Sequence, residues 1–407
     1  MKKIKVAVGL SGGVDSAVSA YLLKKQGFDI SGVYLHCFDD DAPGCRGKHD
    51  RQDALKVALH LKIPFQVLDF RKEYKAAVIN YFKKEYLAGR TPNPDVICNR
   101  DIKFGLFLDW AIKEGFDYVA TGHYADVAGI LRKQNSAATP APRKLDTSER
   151  EAGSLQLKRE LYWGANPVLR IPRDLHKDQT YFLWAVPKQN FSRVLFPLAN
   201  YLKSEVRALA SRLAPLSGVA DKPDSTGICF IGEVRVEDFL KRLGVKEKVG
   251  EVVIQAQKVQ PFEAKVIGRH KGVAFYTIGQ RHGFSTDLLP SSLFPLPSAD
   301  HPPFYVIAKD IKTNRLVVGF GPECYRDQFE IADCNWLIPE KDSPSGTGRT
   351  VLCRIRHLGS LIPCRINAST HQRINVSLSQ PQRGVAPGQS AVFYSKDGIV
   401  LGGGVIQ

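Results

Sequence analysis

The first residues that could do chemistry form a short glycine-rich loop near the start of the chain. Ser11-Gly12-Gly13-Val14-Asp15-Ser16 follows an apolar strand pattern and opens a helical pattern. Adjacent glycines let the backbone approach an anion closely, and the free amides at a helix start bind phosphate oxygens. The Gly-Lys-Ser/Thr ending of a Walker A loop is missing. We therefore predict a nucleotide-phosphate site of another type.

The polar side chains of this loop suit the same task. The hydroxyls of Ser11 and Ser16 can donate to phosphate oxygens. Asp15 could help to hold a Mg²⁺ bound to the phosphates, or it could serve only as a favourable carboxylate at a helix start. The full string after a valine-rich strand resembles the loop of ATP pyrophosphatases, which split ATP between its α and β phosphates and adenylate a carbonyl oxygen.

Two of the eight cysteines lie in unusual surroundings. Cys98 follows Asn93-Pro94-Asp95 at the start of a helical stretch, where the helix dipole is expected to lower the pKa of its thiol. Asp95 lies three residues earlier, close enough in a turn to exchange a proton. Cys229 lies in an apolar run that follows a polar turn beginning at Asp224. Either cysteine could instead be a buried structural residue.

The other cysteines are predicted to be structural. Cys37 and Cys45 could form half of a metal site, but no second pair stands at zinc-like spacing, so no protein metal site is expected. A chain of 407 residues with eight cysteines is not a disulfide framework, which favours the reducing cytoplasm. The six structural cysteines are Cys37, Cys45, Cys324, Cys334, Cys353 and Cys364.

Strand and helix patterns alternate over the first 125 residues. This order predicts an α/β domain, a parallel sheet with helices on both faces, whose binding site lies at the carboxyl ends of the strands. A polar insertion follows near 129–165. The last 120 residues contain short strand-like runs between Asn, Gly and Pro turns, including 304–308 and 316–318, and predict a small barrel or sandwich. The predicted strands of the first domain are 4–8, 30–35, 65–68 and 118–120.

The charge is strongly positive and unevenly distributed. Lys and Arg number 57 against 41 Asp and Glu, a net charge of +16. Residues 129–286 carry 26 basic and 15 acidic residues, a net of +11. Such a concentration favours a nucleic-acid surface over general solubility. No apolar run is long enough to span a bilayer, so no membrane association is expected.

With these motifs in view, the chain resembles the tRNA-specific 2-thiouridylase family, whose members thiolate uridine 34 at the wobble position of tRNA. The resemblance covers nearly the whole chain. Besides the loop and both cysteine segments, it rests on the motifs at 120–125, 177–183, 277–281, 387–394 and 402–404.

The resemblance implies a fold and a mechanism. Residues 1–208 would form an ATP-pyrophosphatase nucleotide-binding domain, 209–285 a central domain carrying the persulfide cysteine, and 286–407 a tRNA-contacting C-terminal β-barrel. ATP would adenylate the C2 carbonyl oxygen of the uracil. Cys229 would carry sulfur as a persulfide, Cys98 would complete sulfur release by forming a disulfide with it, and Asp95 would act as acid or base.

The same resemblance assigns binding residues, cofactors and partners. It implies ATP with Mg²⁺, a persulfide sulfur donor, tRNA, and a cysteine desulfurase or sulfur-relay protein. The implied ATP-binding residues are Gly9, Leu10, Ser11, Gly12, Gly13, Val14, Asp15, Ser16, Leu35 and Gly122. The implied tRNA-binding residues are Asn93, Pro94 and Asp95 at the flipped base, with His123, Lys177, Asp178, Gln179, Arg356, His357 and Gln389 elsewhere.

Three departures and two alternatives accompany this assignment. The insertion at 129–165 is longer than usual for the family, the stretch 39–45 is atypical, and 354–358 is less basic and aromatic. One alternative is another ATP-pyrophosphatase-loop enzyme that activates a small-molecule carbonyl, which leaves Cys98 unexplained. The other is a non-catalytic RNA-binding protein, which leaves the intact loop unexplained.

Overall fold

A computed structural model describes residues 3–38, 47–129, 167–213, 217–224, 227–232, 234–255, 264–288, 302–339, 350–370 and 373–407. The atypical stretch at 39–45 and, apart from residue 129, the polar insertion at 129–165 lie outside these residues.

A five-stranded parallel sheet forms the centre of the first domain, as predicted. Its order is β3-β2-β1-β4-β7, so the first strand lies in the middle. The antiparallel pair β5 and β6 lies beside it. The strands are β1 (Lys5–Gly9), β2 (Asp29–His36), β3 (Phe65–Asp69), β4 (Tyr118–Ala120), β5 (Asp126–Gly129), β6 (Pro167–Arg170) and β7 (Val194–Leu195).

Helices cover both faces of this sheet because the side chains of β1 alternate between two cores. Val6 and Val8 are buried in one apolar cluster, and Ala7 is buried in the other. The helices are α1 (Val14–Lys25), α2 (Gly47–His60), α3 (Arg71–Tyr74), α4 (Asn80–Leu87), α5 (Pro94–Ile97), α6 (Phe107–Lys113), α7 (Lys203–Arg212) and α8 (Ser217–Ala220). A π turn, Lys75–Ile79, joins α3 to α4, and another, Cys98–Leu106, joins α5 to α6.

The second unit is a four-stranded sheet with the order β10-β11-β8-β9, preceded by helix α9 (Val236–Arg242). Its strands are β8 (Gly250–Gln255), β9 (Ala264–His270), β10 (Tyr305–Asp310) and β11 (Arg315–Gly319).

This sheet corrects two of the predicted boundaries. The runs 304–308 and 316–318 were expected in the C-terminal barrel, but β11 pairs with β8, so they belong to the central unit. Cys229 was expected in the central domain, but its segment packs on the first domain through Asp95 and Tyr74. Local β patterns do not specify which sheet a strand joins, because pairing partners lie far apart in the sequence.

The third unit is a closed six-stranded barrel, which confirms the predicted C-terminal barrel. Its order is β12-β15-β14-β13-β16-β17, and it has its own apolar core. The strands are β12 (Tyr325–Trp336), β13 (Thr350–Arg354), β14 (Ile362–Thr370), β15 (Arg373–Arg383), β16 (Ser390–Tyr394) and β17 (Val400–Ile406).

The barrel is fastened to the first domain next to the segment that starts α5. The Thr91 amide donates to the Pro387 carbonyl at 2.7 Å, and Gln389 Nε2 donates to the Thr91 carbonyl at 3.0 Å. Tyr181 donates its hydroxyl to the Ser390 carbonyl at 3.0 Å. The position of residues 91–93 therefore depends on the barrel.

Candidate active site

The glycine-rich loop leaves β1 at the carboxyl edge of the sheet and enters α1. Gly12 has a φ of +78°, and a Cβ at this position would lie 2.3 Å from the Asp50 carbonyl oxygen. Ser16 Oγ accepts a hydrogen bond from the Ser11 amide and lies 3.1 Å from the Gly13 carbonyl oxygen, to which it donates. The loop is therefore closed by its own hydroxyls and requires glycine at residue 12.

The other predicted ATP-binding residues reach the same edge. Gly122 follows β4, and a Cβ there would lie 2.7 Å from the Ser16 amide nitrogen. Leu35 is buried near the end of β2. Leu10 packs against Gly32, where an added Cβ would lie 2.6 Å from its side chain. Close backbone approach thus explains the small residues around the loop.

Two lysines that the sequence analysis did not single out flank this loop. Lys203 Nζ, at the start of α7, lies 2.7 Å from both carboxylate oxygens of Asp15. Lys222 Nζ donates to the Gly12 carbonyl at 3.0 Å and pairs with Asp50. Both lie about two hundred residues from the loop in the sequence, so no local pattern could connect them with it. Each is paired with two carboxylates, Lys203 with Asp15 and Asp224 and Lys222 with Asp50 and Asp53.

The Asp224 carboxylate forms ion pairs with three basic side chains near the loop. Lys177, Lys203 and Arg207 contact its carboxylate at 2.5, 2.9 and 2.6 Å. Burial alone would raise the pKa of Asp224, but hydrogen bonds from Lys177 and Lys203 hold that pKa well below its ordinary value. Lys177, predicted to contact tRNA, is therefore also part of the charged surroundings of the phosphate loop.

The thiols of Cys98 and Cys229 are in contact, as the resemblance implied. The Cys229 amide donates to Asp95 Oδ1 at 2.9 Å, and the Tyr74 hydroxyl donates to the Cys229 carbonyl at 2.5 Å. These bonds hold the Cys229 segment against the first domain. Cys98 is fully buried and its thiol is hydrogen-bonded to that of Cys229.

The pKa values of the two thiols are shifted in opposite directions. The hydrogen bond from Cys98 and the charge of Lys103 together lower the pKa of Cys229 to about 7, against the effect of burial. Burial raises the pKa of Cys98 well above its usual value. The expected lowering at Cys98 was wrong, since this residue lies a full turn inside a continuous helical segment rather than at its start.

Lys103 is the cation of the sulfur site. Burial alone would lower its pKa, but the neighbouring Cys229 and Cys98 sulfurs raise it above the ordinary lysine value. Its Nζ lies 3.4 Å from His123 Nε2 and 5.6 Å from the centre of the Phe230 ring. Ile102-Lys103-Phe104 was part of the family motif, but nothing in the local sequence indicated contact with Cys229.

His123 and Asp95 complete the polar shell of the sulfur site. Burial, reinforced by Lys103, lowers the pKa of His123 well below its usual value, so the ring is neutral. His123 Nδ1 lies 2.8 Å from Thr121 Oγ1. Burial raises the pKa of Asp95. His123, predicted as a tRNA contact, lies against Lys103 and Thr121 and is nearly inaccessible.

A third thiol lies close to this pair. Cys37 follows β2 and is buried. Burial raises the pKa of Cys37 well above its usual value, and the nearby Cys229 raises it further. The sequence predicts a structural role for Cys37, and the structure places its thiol near that of Cys229.

The remaining predicted tRNA contacts fall into two groups. Asp178 is fully buried and binds Arg354 at 2.6 Å, and Gln179 Oε1 accepts the Tyr124 amide at 2.9 Å. Arg356 and His357 are exposed on the barrel, and the His357 ring lies 4.4 Å from that of Phe182. A direct contact of the Asp178 carboxylate with tRNA is contradicted by its burial, which leaves it a positioning role.

Residues 93 and 389 lie together where the barrel meets the first domain. Gln389 Nε2 lies within hydrogen-bond distance of the Thr91 and Pro92 carbonyls, at 3.0 and 3.3 Å. Asn93 is buried and precedes Pro94, the first residue of α5. Gln389 thus supports the segment that leads to Asp95.

The described ranges lack two features. They contain no cluster of three or more His, Cys, Asp or Glu side chains arranged to hold a metal ion. They also contain no helix that is both long enough and apolar enough to cross a membrane. A Mg²⁺ bound to nucleotide phosphates would find one carboxylate beside the loop, that of Asp15, and would have to displace the Lys203 ammonium from its two oxygens.

The fold and site define a class of protein: a nucleotide-binding α/β domain with a phosphate loop and a buried pair of thiols, followed by two β units. Family models match all three parts. Residues 4–233 match the "tRNA methyl transferase HUP domain", 237–320 the "tRNA methyl transferase PRC-barrel domain" and 326–406 the "Aminomethyltransferase beta-barrel domain".

Curated relatives are similar over almost their full length. The "tRNA-specific 2-thiouridylase MnmA" of Limosilactobacillus reuteri (strain DSM 20016) is 39% identical over 96% of this chain and 92% of its own. Those of Pseudomonas putida (strain W619) and Nitrosomonas eutropha (strain DSM 101675 / C91 / Nm57) are 38% and 36% identical, over 100% of this chain and 95% and 99% of theirs. The chain belongs to the tRNA-specific 2-thiouridylase family.

Proposed function

We propose that this protein is an ATP-dependent tRNA-uridine 2-sulfurtransferase that thiolates the wobble uridine, position 34. The observation that carries the proposal is the thiol pair of Cys98 and Cys229, next to Lys103 and behind an ATP-pyrophosphatase loop. Family membership supports the substrate class. A small-molecule carbonyl as substrate finds no support, because it needs neither thiol.

The first half of the reaction activates the uracil. The C2 carbonyl is a poor electrophile, so its oxygen attacks the α phosphate of ATP and pyrophosphate leaves. The loop 11–16 is suited to bind the phosphates through its amides, with Lys203 and Lys222 beside it. Mg²⁺ would enter with ATP and neutralise phosphate charge, and Asp15 would have to exchange its two contacts with the Lys203 ammonium for the ion in order to hold it.

The second half transfers sulfur. The terminal sulfur of a persulfide on Cys229 attacks C2, and AMP leaves with the former carbonyl oxygen. The Cys98 sulfur then attacks the Cys229 sulfur, forming a disulfide between the two residues and leaving the transferred sulfur on C2. Asp95, whose pKa burial raises, is the candidate to accept and return the Cys98 proton. A thiol reductant must restore the pair.

The persulfide must be delivered by a protein donor, a cysteine desulfurase or a sulfur-relay protein. The Cys229 residue is partly exposed whereas Cys98 is buried, which favours Cys229 as the thiol that meets a donor. The low pKa of Cys229 favours its thiolate, the form that attacks a donor persulfide.

The test is a nucleoside assay. Protein, tRNA, ATP, Mg²⁺ and a persulfide donor are incubated, and the tRNA is digested and searched for 2-thiouridine. Cys229→Ala is expected to abolish 2-thiouridine while pyrophosphate release continues, and Cys324→Ala, which removes a buried thiol far from the loop, is the matched control. Absence of 2-thiouridine with the unmodified protein and an active donor would overturn the proposed function.

A further inference from the structure

A cavity of about 470 Å³ lies between the first domain and the barrel, apart from both the phosphate loop and the thiols. The first domain contributes Ala77, Tyr81 and one face of the helical segment 94–100. The barrel contributes Asp333 and Val405. Pockets of this volume accommodate a ligand the size of a nucleotide. We refer to it as the helix–barrel cavity.

The cavity and the sulfur site share one wall. Asn93, Val96, Ile97 and Arg100 line the cavity, with the i, i+3, i+4, i+7 spacing of a single helix face. Asp95 lies on the opposite side and contacts the Cys229 segment. The two sites are therefore separated by one helix, a distance of roughly 10 Å. A polynucleotide with one nucleotide in the sulfur site can therefore place a neighbouring nucleotide in the cavity by passing around the first turn of α5.

The lining is polar, aromatic and nearly balanced in charge. Trp184 is buried, and its Nε1 has no hydrogen-bond partner within the described ranges. Gly403 makes room for the indole, since a Cβ there would lie 2.8 Å from the ring. Arg100 is paired with Asp101 at 2.6 Å, and the barrel supplies the carboxylate of Asp333.

We propose that the helix–barrel cavity binds the base of a nucleotide next to the target uridine in the anticodon loop. The proposal rests on the proposed function, because a flipped uridine at Cys229 is what brings a neighbouring nucleotide to this helix. Proteins recognise single-stranded RNA by splaying bases onto aromatic side chains and bonding their edges. Tyr81 is half-buried and offers an aromatic surface to the cavity, and Trp184 places at the cavity wall a buried indole whose N–H has no partner within the described ranges.

The charge of the cavity lining favours a neutral base over a phosphate as the bound group. One arginine against the carboxylates of Asp101 and Asp333 leaves the lining with no excess of positive charge, which disfavours a phosphate. A neutral ligand that both donates and accepts hydrogen bonds suits this lining. Because the walls come from two domains, a bound base would contact both the first domain and the barrel.

The test uses an anticodon stem-loop with 5-iodouridine at the target position or at either flanking position, irradiated in complex with the full chain. We expect the target position to crosslink within 93–98 or 228–230, and one flanking position to crosslink to Trp184 or Tyr81. Flanking crosslinks confined to residues outside the cavity would overturn the proposal alone. A target position that does not reach the sulfur site would contradict the proposed function as well.

Two substitutions narrow the cavity from opposite walls. Val405→Trp fills it from the barrel and Ala77→Phe from the first domain. Because one stacked base is lost, each is expected to weaken stem-loop binding about 5- to 100-fold without changing ATP binding. Val249→Trp, the same change at an exposed site of the central unit, is the matched control. Unchanged stem-loop affinity in either folded cavity variant would overturn the proposal.

Discussion

At the residue scale, the sulfur site divides two chemically identical thiols into different roles. Cys98 has only protein around it, and burial opposes its ionisation. Cys229 receives a hydrogen bond from Cys98 and lies beside the Lys103 ammonium, so its thiolate is stabilised. Under the proposed function, the thiol that accepts sulfur is therefore the acidic one, and the thiol that acts last stays protonated until it reacts.

This asymmetry predicts a pH dependence. The alkylation rate of Cys229, followed by mass spectrometry of its peptide, should rise as the pH passes about 7 and level off above it, because only the thiolate reacts. Lys103→Met removes the ammonium that favours the thiolate, so the midpoint should move to higher pH. Lys246→Met, an exposed lysine, is the control. An unchanged midpoint in Lys103→Met would mean that Lys103 does not set the acidity of Cys229.

At the element scale, the strand–loop–helix unit depends on backbone shape as much as on side chains. Gly12 and Gly13 are adjacent and identical, but only Gly12 has a left-handed backbone; Gly13 has a φ of −95°. A Cβ at Gly12 would run into the backbone of Asp50, whereas at Gly13 the nearest atom, Ser11 Oγ, lies 3.5 Å away. The two positions therefore tolerate a side chain very differently.

Alanine at each glycine tests this difference. Gly12→Ala should lower the free energy of unfolding by at least about 1 kcal/mol, from the left-handed backbone alone, and should impair ATP binding because the loop must move away from Asp50. Gly13→Ala should leave stability nearly unchanged, and thermal melts without nucleotide measure both. Equal stability of the two variants would show that the loop relaxes freely.

At the scale of the whole molecule, a buried ion pair joins the barrel to the first domain. Arg354 on β13 binds the fully buried Asp178, which also accepts the Thr180 hydroxyl at 2.6 Å. Arg354 also lies over the Tyr394 ring, 5.1 Å from its centre. This network fixes the barrel against the turn at 177–179, so Asp178 holds the two domains together.

Breaking this pair should be costly. Arg354→Met leaves the Asp178 charge buried and unpaired, and we expect a loss of about 3–5 kcal/mol in the free energy of unfolding from urea titration. The double variant Arg354→Met/Asp178→Leu should recover most of that loss. Arg373→Met, which breaks the exposed pair with Glu330, should cost less than about 1 kcal/mol. A small effect of Arg354→Met would indicate that water reaches the pair.

The amino-acid sequence by itself determined the local parts of this protein. The glycine-rich loop, the alternation of strands and helices, and the two cysteine segments are contiguous patterns, so their physical meaning can be read without knowing the fold. The parallel sheet and the closed barrel followed from such patterns and from the family resemblance, and the structure confirms both.

Only the tertiary structure decided which distant residues meet. Lys203 reaches Asp15 across 188 positions, and Tyr74 reaches Cys229 across 155. The acidity of each thiol also depends on burial and neighbouring charges, which is why the low pKa belongs to Cys229 and not to Cys98. Contact, burial and sheet partnership are properties of the packed chain, because they arise where segments far apart in the sequence come together.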